Sequence, residues 1–260
     1  MASTKLSDLG TALITGATSG IGHEFARQLA SRGHDLILVA RDRERLDAVA
    51  ADLGSTYGVS VEVLPADLAD RDQLLLVEQR LAEDDRPVDL LVNNAGFGLK
   101  KRFLDSDIAD EQAMIDVLVT AVMRLSHAAL GAMAARGKGG LINVSSVASF
   151  LPCGTYSAAK AWVTSFGQWA ANEYRSQGIT VLTLCPGFTR TEFHSRMGVR
   201  RQSAPDLLWL ESDFLVERSL ADFDKGRELS IPGGQYKVIT SAARVIPRRA
   251  LQTYQSIGRR

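Results

Sequence analysis

Short apolar runs rich in Val, Ile and Leu alternate along the chain with longer stretches in which apolar residues recur every three or four positions. The short runs predict strands at 11–15, 35–40, 60–64, 89–92, 141–145 and 180–185, with a weaker one at 229–231. Most are continuously apolar, without strict alternation, which is the signature of strands buried on both faces. The periodic stretches predict helices at 20–32, 42–56, 70–85, 110–136, 156–176 and 211–224, each long enough to serve as a crossover between parallel strands. Strand and helix in strict alternation imply an α/β protein: a single domain with a doubly wound parallel sheet between two helical layers. The segment 186–210, with Pro186, Gly187, Gly198 and Pro205, interrupts the alternation at the carboxyl end of the sixth strand. Ligands of such sheets bind at that edge, so 11–187 is read as the core, 188–226 as a substrate-covering segment and 234–260 as a tail.

Composition narrows the choice of partner. The chain has 260 residues with 30 basic and 30 acidic side chains, so it lacks the basic surplus a nucleic-acid binder uses to displace counterions. The balance conceals an asymmetry. Past Glu228 there are six basic residues (Lys237, Arg244, Arg248, Arg249, Arg259 and Arg260) and no acid, which leaves the preceding chain with an equal acidic excess. Val238, Ile239, Val245, Ile246 and Leu251 are interleaved, so the tail suits packing on the parent domain, a subunit contact, or peripheral contact with anionic lipid. Cys153 and Cys185 are too few for a disulfide framework, and a reducing, cytoplasmic setting is expected. Neither a signal peptide nor a membrane span is expected, since no apolar h-region follows the start and no window of 18 apolar residues was found. His23, His34, His127 and His194 lack metal-ligand spacing, and no metal is expected.

Directly after the first strand comes Thr15-Gly16-Ala17-Thr18-Ser19-Gly20-Ile21-Gly22, followed by a helical pattern. Glycines at 16, 20 and 22 let the backbone turn tightly and approach a diphosphate, whose charge meets the free N–H groups of the helix start. This is a Rossmann-like arrangement. The tip of the second strand, Ala40-Arg41-Asp42-Arg43, offers an arginine where a 2′-phosphate would lie, favouring NADP(H), with NAD(H) possible. The alternative is that Arg41 and Arg43 simply solvate the start of the next helix, with Asp42 either a ribose partner or a helix cap. Tyr156 and Lys160, four apart, share one helix face.

With Gly16–Gly22, Asn93-Asn94-Ala95-Gly96 and Tyr156-Ser157-Ala158-Ala159-Lys160 in this order, the chain resembles the classical short-chain dehydrogenase/reductase family from about residue 11 to 187. The resemblance implies that Thr18, Ser19 and Ile21 accompany the glycines at the diphosphate, that Asp67 and Leu68 contact adenine, and that Asn94, Ala95 and Gly96 lie beneath the adenosine ribose. It implies that Pro186 and Gly187 close over the nicotinamide end, with Thr189 and Thr191 as donors. It implies a reaction in which the cofactor exchanges hydride with a carbonyl or alcohol, Tyr156 moves the proton, Ser146 holds the carbonyl oxygen, and Lys160 binds the nicotinamide ribose. Lys160 and the oxidised nicotinamide are expected to lower the Tyr156 pKa. Homodimers or homotetramers built on helices 110–136 and 156–176 are implied as well.

Three points depart from the pattern or stay open. Ser145 and Ser146 both end the fifth strand; register against the family's NVSS form favours Ser146, with Ser149 a weaker substitute. Ser146 precedes Tyr156 by only ten residues, so the loop between them is shorter than usual. Most consequentially, Leu118 stands where the family has an asparagine that helps hold a relay water, and no asparagine occurs between Asn94 and Asn143. The alternative to an oxidoreductase is therefore a catalytically weak NADP(H)-binding sensor or scaffold on the same fold. Phe188, Phe193, Met197, Leu207, Leu208, Trp209 and Leu210 suit a moderately hydrophobic substrate or simply the packing of a covering helix.

Overall fold

The computed structural model describes residues 4–191 and 205–245. Phe193, His194, Met197 and Gly198, and the tail beyond Val245, lie outside the described residues. The strands are β1 (Thr11–Thr15), β2 (Asp35–Ala40), β3 (Val61–Pro65), β4 (Leu90–Asn93), β5 (Gly139–Val144), β6 (Ile179–Leu184) and β7 (Leu229–Ser230). They form one parallel sheet in the order β3-β2-β1-β4-β5-β6-β7, the doubly wound topology expected, with its switch point between β1 and β4. Observed strand ends differ from the expected ones by a residue or two.

The helices are α1 (Gly20–Ala30), α2 (Arg43–Tyr57), α3 (Arg71–Leu81), α4 (Ile108–Ile115), α5 (Val122–Arg136), α6 (Thr155–Tyr174), α7 (Ser212–Asp224) and α8 (Gly234–Val245). Period-two alternation sorts the strand residues onto two faces. Ala12, Ile14, Leu36, Leu38, Leu90, Val92, Ile142 and Leu182 join one core with α1, α2 and α7. Leu13, Ile37, Val39, Leu91, Leu141 and Val181 join the other with α3, α5 and α6. Both sets are apolar, which explains why the strands show no polar alternation in sequence.

One buried polar row crosses the second face. Asn93 and Asn143 are partners in the β4–β5 register, and Asn93 Nδ2 donates to Asn143 Oδ1 at 2.9 Å and to Ser126 Oγ on α5 at 3.0 Å.

Three features differ from the sequence reading. The predicted helix at 110–136 starts earlier and widens into a π turn at Asp116–Ala121, between α4 and α5. The whole run Ile108–Arg136 has the length and hydropathy of a membrane span, yet its most apolar window is 44% buried inside the protein. Helix α7, assigned to the substrate-covering segment, is a core helix instead: Leu215, Val216, Leu220 and Phe223 are fully buried, and α7 packs on α1. Residues 234–245, taken as the start of a tail, form α8, which buries Tyr236 and Thr240 and exposes Lys237 and Val238.

Candidate active site

The carboxyl ends of β1, β4, β5 and β6 bring the motifs together. At the β1–α1 turn, Gly16 and Gly20 have φ of +68° and +57°, and a Cβ on Gly22 would lie 2.3 Å from both Gly16 O and Asn94 Nδ2. The turn is also tied to β4: Asn94 Nδ2 donates to Thr15 O at 2.9 Å, and the Asn94 and Ala95 N–H groups donate to Thr15 Oγ1. Ser19, at the N-cap of α1, makes no side-chain cap bond, and the first turn of α1 carries no acid. The helix therefore offers its opening N–H groups to an anion. Thr191 crosses above, with its Cβ 3.1 Å from where a Gly20 Cβ would sit. These residues fit a dinucleotide diphosphate.

At the tip of β2, Asp42 caps α2 by accepting from Arg45 N at 3.1 Å, so its carboxylate serves the helix and the two readings of it resolve to the cap. Arg43 lies 3.7 Å from Asp47 and Arg45 3.4 Å from Asp42, each within its own helix, while Arg41 is 77% exposed and reaches an acid, Asp67, only at 4.0 Å. Asp67 also accepts from Ala69 N, and Leu68, expected to contact adenine, is buried in the core.

At the ends of β5 and β6 the two serines separate. Ser145 is buried, donating to Lys160 O at 2.7 Å and lying 2.8 Å from Thr164 Oγ1, so it packs α6 on the sheet. Ser146 Oγ accepts from Ala148 N at 3.1 Å and hydrogen-bonds the Tyr156 hydroxyl. The shortened loop folds as a 3-10 turn, Val147–Phe150, before α6 begins. Lys160 Nζ donates to Val144 O at 2.7 Å and lies 6.0 Å from the Tyr156 ring centre.

The electrostatics differ from the sequence expectation. Burial pushes the Tyr156 phenol up to about 12, against the opposing pull of its Ser146 hydrogen bond. Burial also brings the Lys160 ammonium down to about 8. Among the protein's own groups, desolvation outweighs the attraction that would favour phenolate. Thr189 differs too: it is buried, and its hydroxyl donates to Gly187 O at 3.1 Å within its own loop.

Leu118 lies in the π turn and is fully buried. A Cβ on Gly96 would come within 2.8 Å of Leu118 Cδ2 and 3.8 Å of Lys160 Nζ, so the leucine borders the lysine pocket. Met114, Leu118 and Ala159 form a small apolar cluster against Tyr156.

A sequence model described as short chain dehydrogenase matches residues 10–201. The chain belongs to the short-chain dehydrogenase family. A very-long-chain 3-oxoacyl-CoA reductase of Anas platyrhynchos is 34% identical over 70% of this chain and 60% of its own length. An inactive hydroxysteroid dehydrogenase-like protein 1 of Homo sapiens is also 34% identical, over 69% of this chain and 56% of that protein. The chain thus spans well under two thirds of these relatives. A short-chain dehydrogenase from Sphingobium yanoikuyae, solved in complex with NADPH, superposes with a TM-score of 0.84 at 38% identity, covering 94% of this chain and 96% of that one.

Two features of this short-chain dehydrogenase escaped the sequence reading. A π turn leaves no glycine or proline to mark it. Helix α8 did leave a signal, the breaker Pro232-Gly233-Gly234 followed by Tyr236 and Thr240 one turn apart, but the basic residues beyond it drew the reading toward a tail.

Proposed function

We propose that the protein is an NADP(H)-dependent oxidoreductase interconverting a ketone or aldehyde and an alcohol. The observation that carries this reading is the Ser146–Tyr156 hydroxyl pair beside Lys160, at the sheet edge that also bears the glycine turn. Gly16–Gly22 and the start of α1 would hold the diphosphate, Arg41 the 2′-phosphate, and Lys160 the nicotinamide ribose. Bound NADPH supplies the hydride that reduces the carbonyl carbon. Ser146 orients the carbonyl oxygen, and Tyr156, whose phenol is protonated at neutral pH, gives its proton to the oxygen as negative charge develops there. In the reverse direction Tyr156 would first lose its proton, and the phenolate, which the charged Lys160 favours, would then take the proton of the alcohol. Arg41, exposed and meeting Asp67 only at 4.0 Å, supports NADP(H) over NAD(H).

A homodimer or homotetramer through α5 and α6 is part of the proposal. Trp162, Phe166, Trp169 and Tyr174 form a continuous aromatic ladder along α6, and Trp169 and Met123 are about half exposed. The two cysteines are free, in keeping with a reducing, cytoplasmic setting.

Leu118 favours a second reading, a weakly catalytic NADP(H)-binding sensor or scaffold, and the inactive human relative adds to it. Separate titrations with NADPH and NADH, then absorbance at 340 nm with a panel of ketones and aldehydes, decide between the two. Turnover that falls by about 1,000-fold in Tyr156→Phe supports the oxidoreductase. Tight NADPH binding without turnover supports the sensor, and turnover indifferent to Tyr156→Phe sinks the mechanism.

A further inference from the structure

The hydroxyl of Tyr236, on α8, joins two segments that are distant in sequence. It accepts the Phe188 N–H at 2.8 Å and donates to Leu208 O. Phe188 follows the Pro186-Gly187 turn at the end of β6, and Leu208 belongs to the arm that returns toward α7. The two arms also meet through Thr189 and Leu210, where Leu210 N donates to Phe188 O and Arg190 N to Leu210 O, both at 2.9 Å. Beside this junction the Phe188 and Trp209 rings stand 5.4 Å apart.

The Tyr236 ring, 2% exposed, packs directly on Gly187: a Cβ there would lie 2.0 Å from Tyr236 Cζ. Gly187 is thus a glycine for the sake of this tyrosine, in addition to any cofactor it approaches. On its other side α8 packs against the 3-10 turn Val147–Phe150 that follows Ser146, and Val147 N donates to Pro186 O at 2.9 Å. A closed circuit runs from the Ser146 turn through Pro186 and Phe188 to Tyr236 and back along α8.

We infer that Tyr236 is a positioning residue for the substrate side of the site: it sets the Phe188–Trp209 pair relative to Ser146 by holding both arms from the C-terminal helix. The role rests on the oxidoreductase reading for its substrate, while the contact itself does not. The diphosphate grip is built by the β1–α1 turn itself, and Thr191, which crosses over Gly20, lies beyond the Thr189–Leu210 bridge from Phe188, so loss of the hydroxyl disturbs carbonyl binding more than cofactor binding. The Thr189–Leu210 bridge survives that loss, so the arms stay paired but are no longer anchored to α8.

Tyr236→Phe keeps the ring and removes both hydrogen bonds. The expected result is a rise of about tenfold in KM for the carbonyl, with kcat and the NADPH Kd within about twofold of wild type. Hydrogen exchange at the Phe188 amide should accelerate while that at Arg190 does not. A second pair of variants tests the packing: Gly187→Ala alone should be severely impaired, and the same change in a Tyr236→Ala background should add little further loss. An unchanged KM, or equal losses in kcat and kcat/KM alongside a lowered Tm, would overturn the positioning role. Unchanged exchange at Phe188 would overturn the contact. Failure of the wild-type protein to reduce any carbonyl would count against the oxidoreductase reading alone, because exchange at Phe188 still judges the contact.

Discussion

The nucleotide side and the reaction side of this site are built by different means. At the β1–α1 turn the groups that would meet a ligand are backbone N–H donors, and the side chains Thr15 and Asn94 serve mainly to hold that backbone in place. On the reaction side, the contacts are side chains from remote parts of the chain: Ser146 on Tyr156, Lys160 on Val144 O, Leu118 against Gly96, and Tyr236 on Phe188. A backbone-built site tolerates little change at a few positions, whereas a side-chain-built site can be retuned one residue at a time.

The sharpest way to break this contrast is at Gly22. A methyl group there has no room between Gly16 O and Asn94 Nδ2, so Gly22→Ala should weaken NADPH and NADH binding alike, by about 100-fold in Kd measured by fluorescence titration. Near-normal affinity would mean the turn is more plastic than its geometry implies. Arg41→Ala, a side-chain change on the nucleotide side, should raise the NADPH Kd about 30-fold and leave the NADH Kd alone, because only the 2′-phosphate pairing is lost. Equal effects on both cofactors would take the arginine out of phosphate recognition.

A pH profile probes the reaction side. Lys160, with its pKa lowered to about 8, is charged below that pH and neutral above it. If the charged form is needed, kcat/KM for NADPH is level in neutral solution and falls about tenfold per pH unit above about 8. Tyr156 adds no second alkaline fall to the free-enzyme profile in this range, since burial pushes its phenol up to about 12. A profile flat to pH 10 would exclude Lys160 as the controlling group. The smallest effect is expected at Leu118. Leu118→Asn should raise kcat by about threefold or widen the pH range, at some loss of Tm from placing an amide in an apolar pocket. No change in either would show that proton exchange with solvent does not pass that way.

The same division decided what the sequence could reveal. Local chemistry was readable: the glycine turn, the Tyr156–Lys160 spacing on one helix face, and strands apolar on both pleat faces each leave a pattern within a few residues. What escaped was set by tertiary contact. The burial that raises the Tyr156 pKa comes partly from neighbours remote in sequence, Met114 on α4 and Leu118 in the π turn. Helix α7 read as a cover because its apolar stripe shows that it packs but not against what. Tyr236 has no meaning until α8 is laid beside Gly187. The Ser145/Ser146 choice shows the boundary most clearly, since two identical residues in succession acquire opposite jobs only when the end of β5 turns one into the sheet–helix junction and the other toward Tyr156.

The Asn93–Asn143 amide pair acts as an alignment key for the central strands. Sliding β5 by one residue along β4 would turn Asn143 into the apolar core on the opposite face and bring Val144 or Ile142 against Ser126. The same slip would carry the Val144 carbonyl, the anchor of Lys160 Nζ, about 3.3 Å along the sheet. Hydrophobic strands alone discriminate poorly among such offsets when both faces are greasy. One shared hydrogen-bonded amide, buried a single residue before the Lys160 anchor, gives the fold a reason to choose the single offset at which the lysine and the tyrosine stand at working height.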